Sequence, residues 1–109
     1  MKVSEAVQSL GLNVVTLPSP DREISGGYVG DLLSWVMGRV EESNAWITIM
    51  TNINVVAVAS LSDVSCVILC ESVIPEKDVI DTATSKGINI LSTESSAFDV
   101  SSKLSALLK

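Results

Sequence analysis

The sequence predicts an α/β fold: one domain over residues 1–109, with a mainly parallel sheet flanked by helices. Two observations carry this. From residue 45 onward, short β-branched apolar runs alternate with segments of helical spacing, joined by connections of a few residues. With 109 residues and 47% apolar content, the chain can bury one core and not two.

Val3, Ala6, Val7 and Leu10 recur at helical spacing with Gly11 behind them as a stop, which predicts a helix over 2–10. Residues 12–17 read as a strand ended by Pro18-Ser19-Pro20. Residues 22–29 read as a second extended segment, interrupted by Gly26 and Gly27. These first two segments need not share the parallel pattern. Asp31 is placed to cap a helix whose apolar stripe is Leu32, Leu33, Val36, Met37 and Val40. Trp35 is off that stripe.

After the polar run Glu41-Glu42-Ser43-Asn44, residues 45–50 read as a short buried strand. Residues 53–61 are apolar on nearly every side, so period does not decide their state. Their β-branched residues favour a strand; Asn52 as a cap and the position between two strands favour a buried helix, which is the reading adopted. Residues 66–70 read as a buried strand. Pro75 suits the first turn of the next helix, with Glu76 and Asp78 near its positive end, Val79, Ile80 and Ala83 on its buried face, and Lys86-Gly87 at its close. Residues 88–91 form the last predicted strand. Ser92-Thr93-Glu94-Ser95 offers several caps for a final helix with the face Ala97, Val100, Leu104, Leu107 and Leu108.

Composition excludes several functions. Net charge is −6, and the seven basic residues are scattered without a stripe. Nucleic-acid binding therefore lacks its electrostatic drive, and an anionic membrane is disfavoured. The longest apolar run is too short to span a bilayer, and the first residues lack a signal-peptide core, so a cytoplasmic location is expected. Charged residues make up only 18%, so part of the apolar content is expected to face a second copy in a homodimer. A compact monomer with a Ser/Thr-rich surface is the alternative.

There is no histidine, hence no commonest acid–base group or metal ligand. Cys66 and Cys70 lie about 13 Å apart in a strand, beyond the roughly 7 Å that a disulfide spans. They read as buried thiols of a reducing compartment, and no metal set is expected. No catalytic residue and no cofactor are nominated. Glu71 is the one acid in the predicted strand-end cluster.

Two places read as ligand-binding candidates. The first is the segment Gly26, Gly27, Tyr28 to Asp31, where three glycines in five residues permit unusual backbone conformations or close approach. It reads either as an anion site at the helix start or as close backbone packing at a dimer interface; Asp31 opposes the former by placing a carboxylate there. The second is the set of strand carboxyl ends, with Thr51 and Asn52, Glu71, and Ser92 and Thr93. These groups suit a neutral or polar ligand, and each also serves as an ordinary cap. Trp35 is the candidate anchor for a partner surface.

The runs Gly26-Gly27-Tyr28-Val29-Gly30-Asp31-Leu32-Leu33-Ser34, Trp46-Ile47-Thr48-Ile49, Asn54 to Asp63 and Gly87-Ile88-Asn89-Ile90-Leu91-Ser92-Thr93 together resemble the DRTGG domain family. Its name describes an Asp-Arg-Thr-Gly-Gly motif. This chain reads Asp21-Arg22-Glu23-Ile24-Ser25-Gly26-Gly27, with the two halves separated. Stand-alone relatives often carry a histidine after the threonine matched by Thr51; here Asn52 stands there.

The resemblance implies a fold like the N-terminal domain of HPr kinase/phosphorylase. It also implies a regulatory or dimerising role, as where such domains accompany CBS domains in pyrophosphatases. The kinase activity attached to some relatives is not expected, because no Gly-x-x-x-x-Gly-Lys-Ser/Thr loop is present. The resemblance points to regulation of anaerobic redox or carbon metabolism by a non-catalytic module with a protein partner or small-molecule effector. The alternative is a nucleotide or metabolite sensor. A weak enzyme using Glu71 is the least supported reading.

Overall fold

In the computed structural model, which describes residues 1–109, five strands form one sheet. They are β1 (Asn13–Thr16), β2 (Gly26–Val29), β3 (Asn44–Thr48), β4 (Cys66–Leu69) and β5 (Ile90–Ser92), in the order β1-β5-β4-β3-β2. β2, β3, β4 and β5 run parallel, and β1 closes the far side antiparallel to β5. The helices are α1 (Val3–Leu10), α2 (Leu33–Met37), α3 (Ile53–Ser62), α4 (Lys77–Ser85) and α5 (Ala97–Leu107).

The period-2 alternation of the strands divides the core into two. Trp46, Val67, Leu69 and Ile90 face α2, α3 and α4. Ala45, Ile47, Cys66, Ile68 and Leu91 face α1 and α5, meeting Val3, Ala6, Val100 and Leu104. α3 is a helix as expected. It is the middle helix of its layer, burying Val55, Val56, Val58 and Ala59 and leaving Ile53 and Leu61 exposed, and Asn52 caps it by accepting from the Asn54 N–H at 2.9 Å. α1 ends where expected, at Gly11 with φ +62°.

Five expectations change. Gly26 and Gly27 do not interrupt an extended run: they open β2, pairing with Asn44 and Ala45 of β3, and neither has a left-handed φ. Asp31 does not cap α2, whose N-cap is Leu32 without a side-chain bond. The Asp31 carboxylate instead accepts from Thr48 Oγ1 at 2.8 Å and the Ile49 N–H at 3.0 Å, tying the end of β2 to the end of β3. Pro75 lies before the Glu76 N-cap and outside α4. α5 is capped by Ser96, which accepts from the Asp99 N–H at 3.1 Å, and not by a residue of 92–95. The stripe of α2 is also only partly buried: Val36 and Val40 are inside, whereas Leu32, the N-cap outside the helix itself, is 65% exposed.

Cys66 and Cys70 are free and buried. Burial pushes the Cys66 thiol from its ordinary 9.0 up to about 12, and pushes Cys70 up as well. A thiol reagent is therefore expected to label neither cysteine in the native protein and both in denaturant; rapid native labelling would contradict this. The fold favours the protonated thiol, so the associated stability is full below pH 9 and is lost as pH rises toward 12.

Candidate functional site

The fold separates the two predicted sites. Gly26 and Gly27 stand at the amino end of the parallel strands, while Asp31, Thr51, Asn52, Glu71, Ser92 and Thr93 belong to the carboxyl end. Tyr28 faces away from Gly27 and packs against the core under α2 and α3.

The carboxyl end is tied by its own hydrogen bonds. Thr93 Oγ1 accepts from the Ser95 N–H at 3.2 Å, and Ser92 is buried. Glu71 and Ser72 are successive left-handed residues (φ 61° and 62°). Their N–H groups donate to Ser95 and Thr93 carbonyls, both at 3.0 Å, joining two loops. Thr51 is half-buried, and Asn52 is occupied as the α3 cap. The loops leaving the adjacent strands β4 and β5 diverge to helices on opposite faces, α4 and α5, and the Glu71 and Ser72 bonds close the space between them.

At the other candidate, a groove of about 540 Å³ runs between β2 and α5, within the range that small ligands occupy. Its floor is Gly26, Gly27, Val29 and Ile47, and α5 supplies Phe98 and serine hydroxyls such as Ser102. Gly27 keeps that floor low: a Cβ there would stand 3.5 Å from the Ala45 carbonyl and 3.8 Å from Leu104 Cδ2, in space that is now groove. Lys109 is the only charged side chain in the lining, which holds no carboxylate, thiol or imidazole.

Phe98, 80% exposed, is the residue that sequence reading missed. Its signal was present: like Trp35, it is an aromatic off its helix's apolar stripe. Trp35 is 53% exposed and stacks under Arg39, whose guanidinium carbon is 3.3 Å from the ring centroid. No three His, Cys, Asp or Glu side chains gather as a metal site. No helix is long and apolar enough to cross a membrane.

The chain is thus a three-layer α/β/α domain with a groove, lined by one charged side chain, at one sheet edge. The DRTGG domain model matches residues 30–107, and the chain belongs to that family. Gly26 and Gly27 precede the matched stretch. No protein of curated function matches the chain in sequence. Among solved structures, the chain is similar to the CBS and DRTGG domains of the regulatory region of Clostridium perfringens pyrophosphatase, complexed with activator, diadenosine tetraphosphate. The TM-score is 0.70 at 15% identity, covering 94% of this chain and 45% of that one. This chain thus spans under half of that neighbour's length, and the likeness establishes the fold.

Proposed function

We propose that this chain is a non-catalytic regulatory module that binds a small effector in the groove between β2 and α5 and works as a homodimer. The groove itself carries the reading. Its hydroxyls, backbone edges and exposed phenyl ring suit a flat polar ring, and its lining offers no pair of groups to move a proton or attack a substrate. The fold neighbour is a regulatory region complexed with a nucleotide activator, which makes adenine nucleotides the first ligands to try and favours the sensor form of this reading.

The test is a thermal-shift screen of nucleotides and metabolites on the wild type and Gly27→Val. A ligand at a hundredfold excess over its Kd adds about 2.7 kcal/mol, a shift of several degrees. The Gly27 backbone is open to any residue and a Cβ there meets its neighbours at ordinary contact distance, so the variant is expected to stay folded within about 1 kcal/mol of wild type. The valine methyls then occupy the floor, and the ligand shift is lost. A ligand that stabilises both proteins equally binds elsewhere, and a screen with no hit overturns the reading.

A further inference from the structure

The two edges of the sheet are built differently. β1 carries a register irregularity between Val14 and Thr16 and runs into Pro18 and Pro20, devices that discourage further pairing. β2 has neither: its register with β3 is regular from Gly26 to Val29, and residues 25–30 contain no charge and no proline. Its outer side is an unprotected edge.

Both helices that flank this edge expose an aromatic ring there. On one face the helices lie in the order α4, α3, α2, with α4 beside β1, so α2 overhangs β2. Leu33 and Met37 of α2 line the groove toward α3, and Val36 points down at Gly30. At 3.6 residues per turn, Trp35 falls on the flank away from α3, above the open edge. On the other face α5 covers β2, with Phe98 at the groove. The one acid between β2 and α2, Asp31, is turned inward to Thr48 and Ile49.

We infer that the β2 edge pairs antiparallel with β2 of a second copy about a two-fold axis normal to the sheet, making one ten-stranded sheet. A lone peptide strand added here would leave Trp35 and Phe98 in water. A partner layered like this chain covers strand and helices together, bringing α2 to α2 and α5 to α5. A chain of net charge −6 meets its own copy best where residues 25–30 and 32–38 carry no charge.

The pleat restricts the register. Directly opposed residues in an antiparallel pair share a face, and Gly27 and Val29 face α5 while Tyr28 faces α2. The axis therefore passes at a residue and not between two, and pairing centred on the strand puts it at Gly27 or Tyr28. The first choice sets Gly26 against Tyr28 of the copy, the second sets Gly27 against Val29, and in each a strand glycine is covered by a large side chain. The pairing rests on the homodimer part of the proposed function and names its surface; the copy also closes the open side of the ligand groove, which rests on the effector part.

Light scattering of the full chain at tens of micromolar is expected to give twice the 11.5 kDa of one chain. Val29→Lys, a charge at a half-exposed edge position, and Trp35→Ala are each expected to weaken the dimer by about 30-fold or more. Val14→Lys on the opposite edge leaves it intact. Under mild oxidation, Gly27→Cys or Tyr28→Cys cross-links through its own copy, whichever the axis passes, since native Cys66 and Cys70 are buried. A monomeric wild type, a dimer indifferent to both Val29→Lys and Trp35→Ala, or failure of both cysteine variants to cross-link overturns the inference. No ligand enters these measurements, so a failed ligand screen leaves the dimer standing, and a monomer leaves the screen meaningful.

Discussion

Replacing Trp46 by alanine is expected to cost about 3–5 kcal/mol, a large share of the roughly 5–15 kcal/mol that holds a domain together. Trp46 is the bulkiest fully buried side chain, at the centre of the core beneath α2, α3 and α4. Its Nε1–H donates to the Gly30 carbonyl at 2.9 Å. The indole therefore fills the core and also holds the end of β2 in place. Trp46→Phe separates the two roles. Most of the apolar volume remains, the Gly30 carbonyl loses its donor, and the expected loss is about 1–2 kcal/mol. Urea titrations of the three proteins check both values; a loss under about 1.5 kcal/mol for alanine contradicts the central role of Trp46.

Asn89→Ala is the second large effect, at about 3 kcal/mol. Asn89 is 1% exposed at the approach to β5. Its Nδ2 donates to the Ser19 carbonyl at 2.8 Å and the Ser65 carbonyl at 2.9 Å. Its Oδ1 accepts from the Ser19 N–H at 2.9 Å. One amide thus pins the turn after β1 to the residue before β4. Alanine strips partners from three backbone groups at once. Asn89→Asp keeps the acceptor but sets a carboxylate against two carbonyl oxygens. Its ionised form is disfavoured in the fold, so its deficit is expected to grow as pH rises through the carboxylate range. A pH-independent deficit contradicts that.

Most elements were legible because their signals are local. α1 announces itself by the spacing of Val3, Ala6, Val7 and Leu10 and by Gly11. β3 and β4 appear as apolar runs bounded by polar residues, since strands buried on both faces need no alternation. α3 lacked a period, and its capping Asn52 together with its place between two strands decided its state. The errors fall where a short polar side chain has several bonds within reach. Asp31 stands where a cap belongs, yet its carboxylate goes to Thr48 and Ile49, neighbours that exist only once β2 and β3 pair. Ser96 caps α5 in preference to its earlier competitors, a difference of one residue that spacing does not resolve.

The candidate site was half legible. Gly26 and Gly27 stood out by composition, and Trp35 by leaving its stripe. Phe98 carried the same mark and was passed over, and the strand-end residues are brought to one edge but occupied by caps and loop ties. By itself, the sequence determined the kinds and order of elements, the absence of a basic face and the family, because these depend on composition and on spacing within a few residues. Only the tertiary structure decided that β2 is an edge strand, that α5 returns from seventy residues away to wall the glycines into a groove, and that Trp35 and Phe98 overhang one open edge. Such relations join residues far apart along the chain, and they follow from strand order and helix layering, which local spacing does not encode.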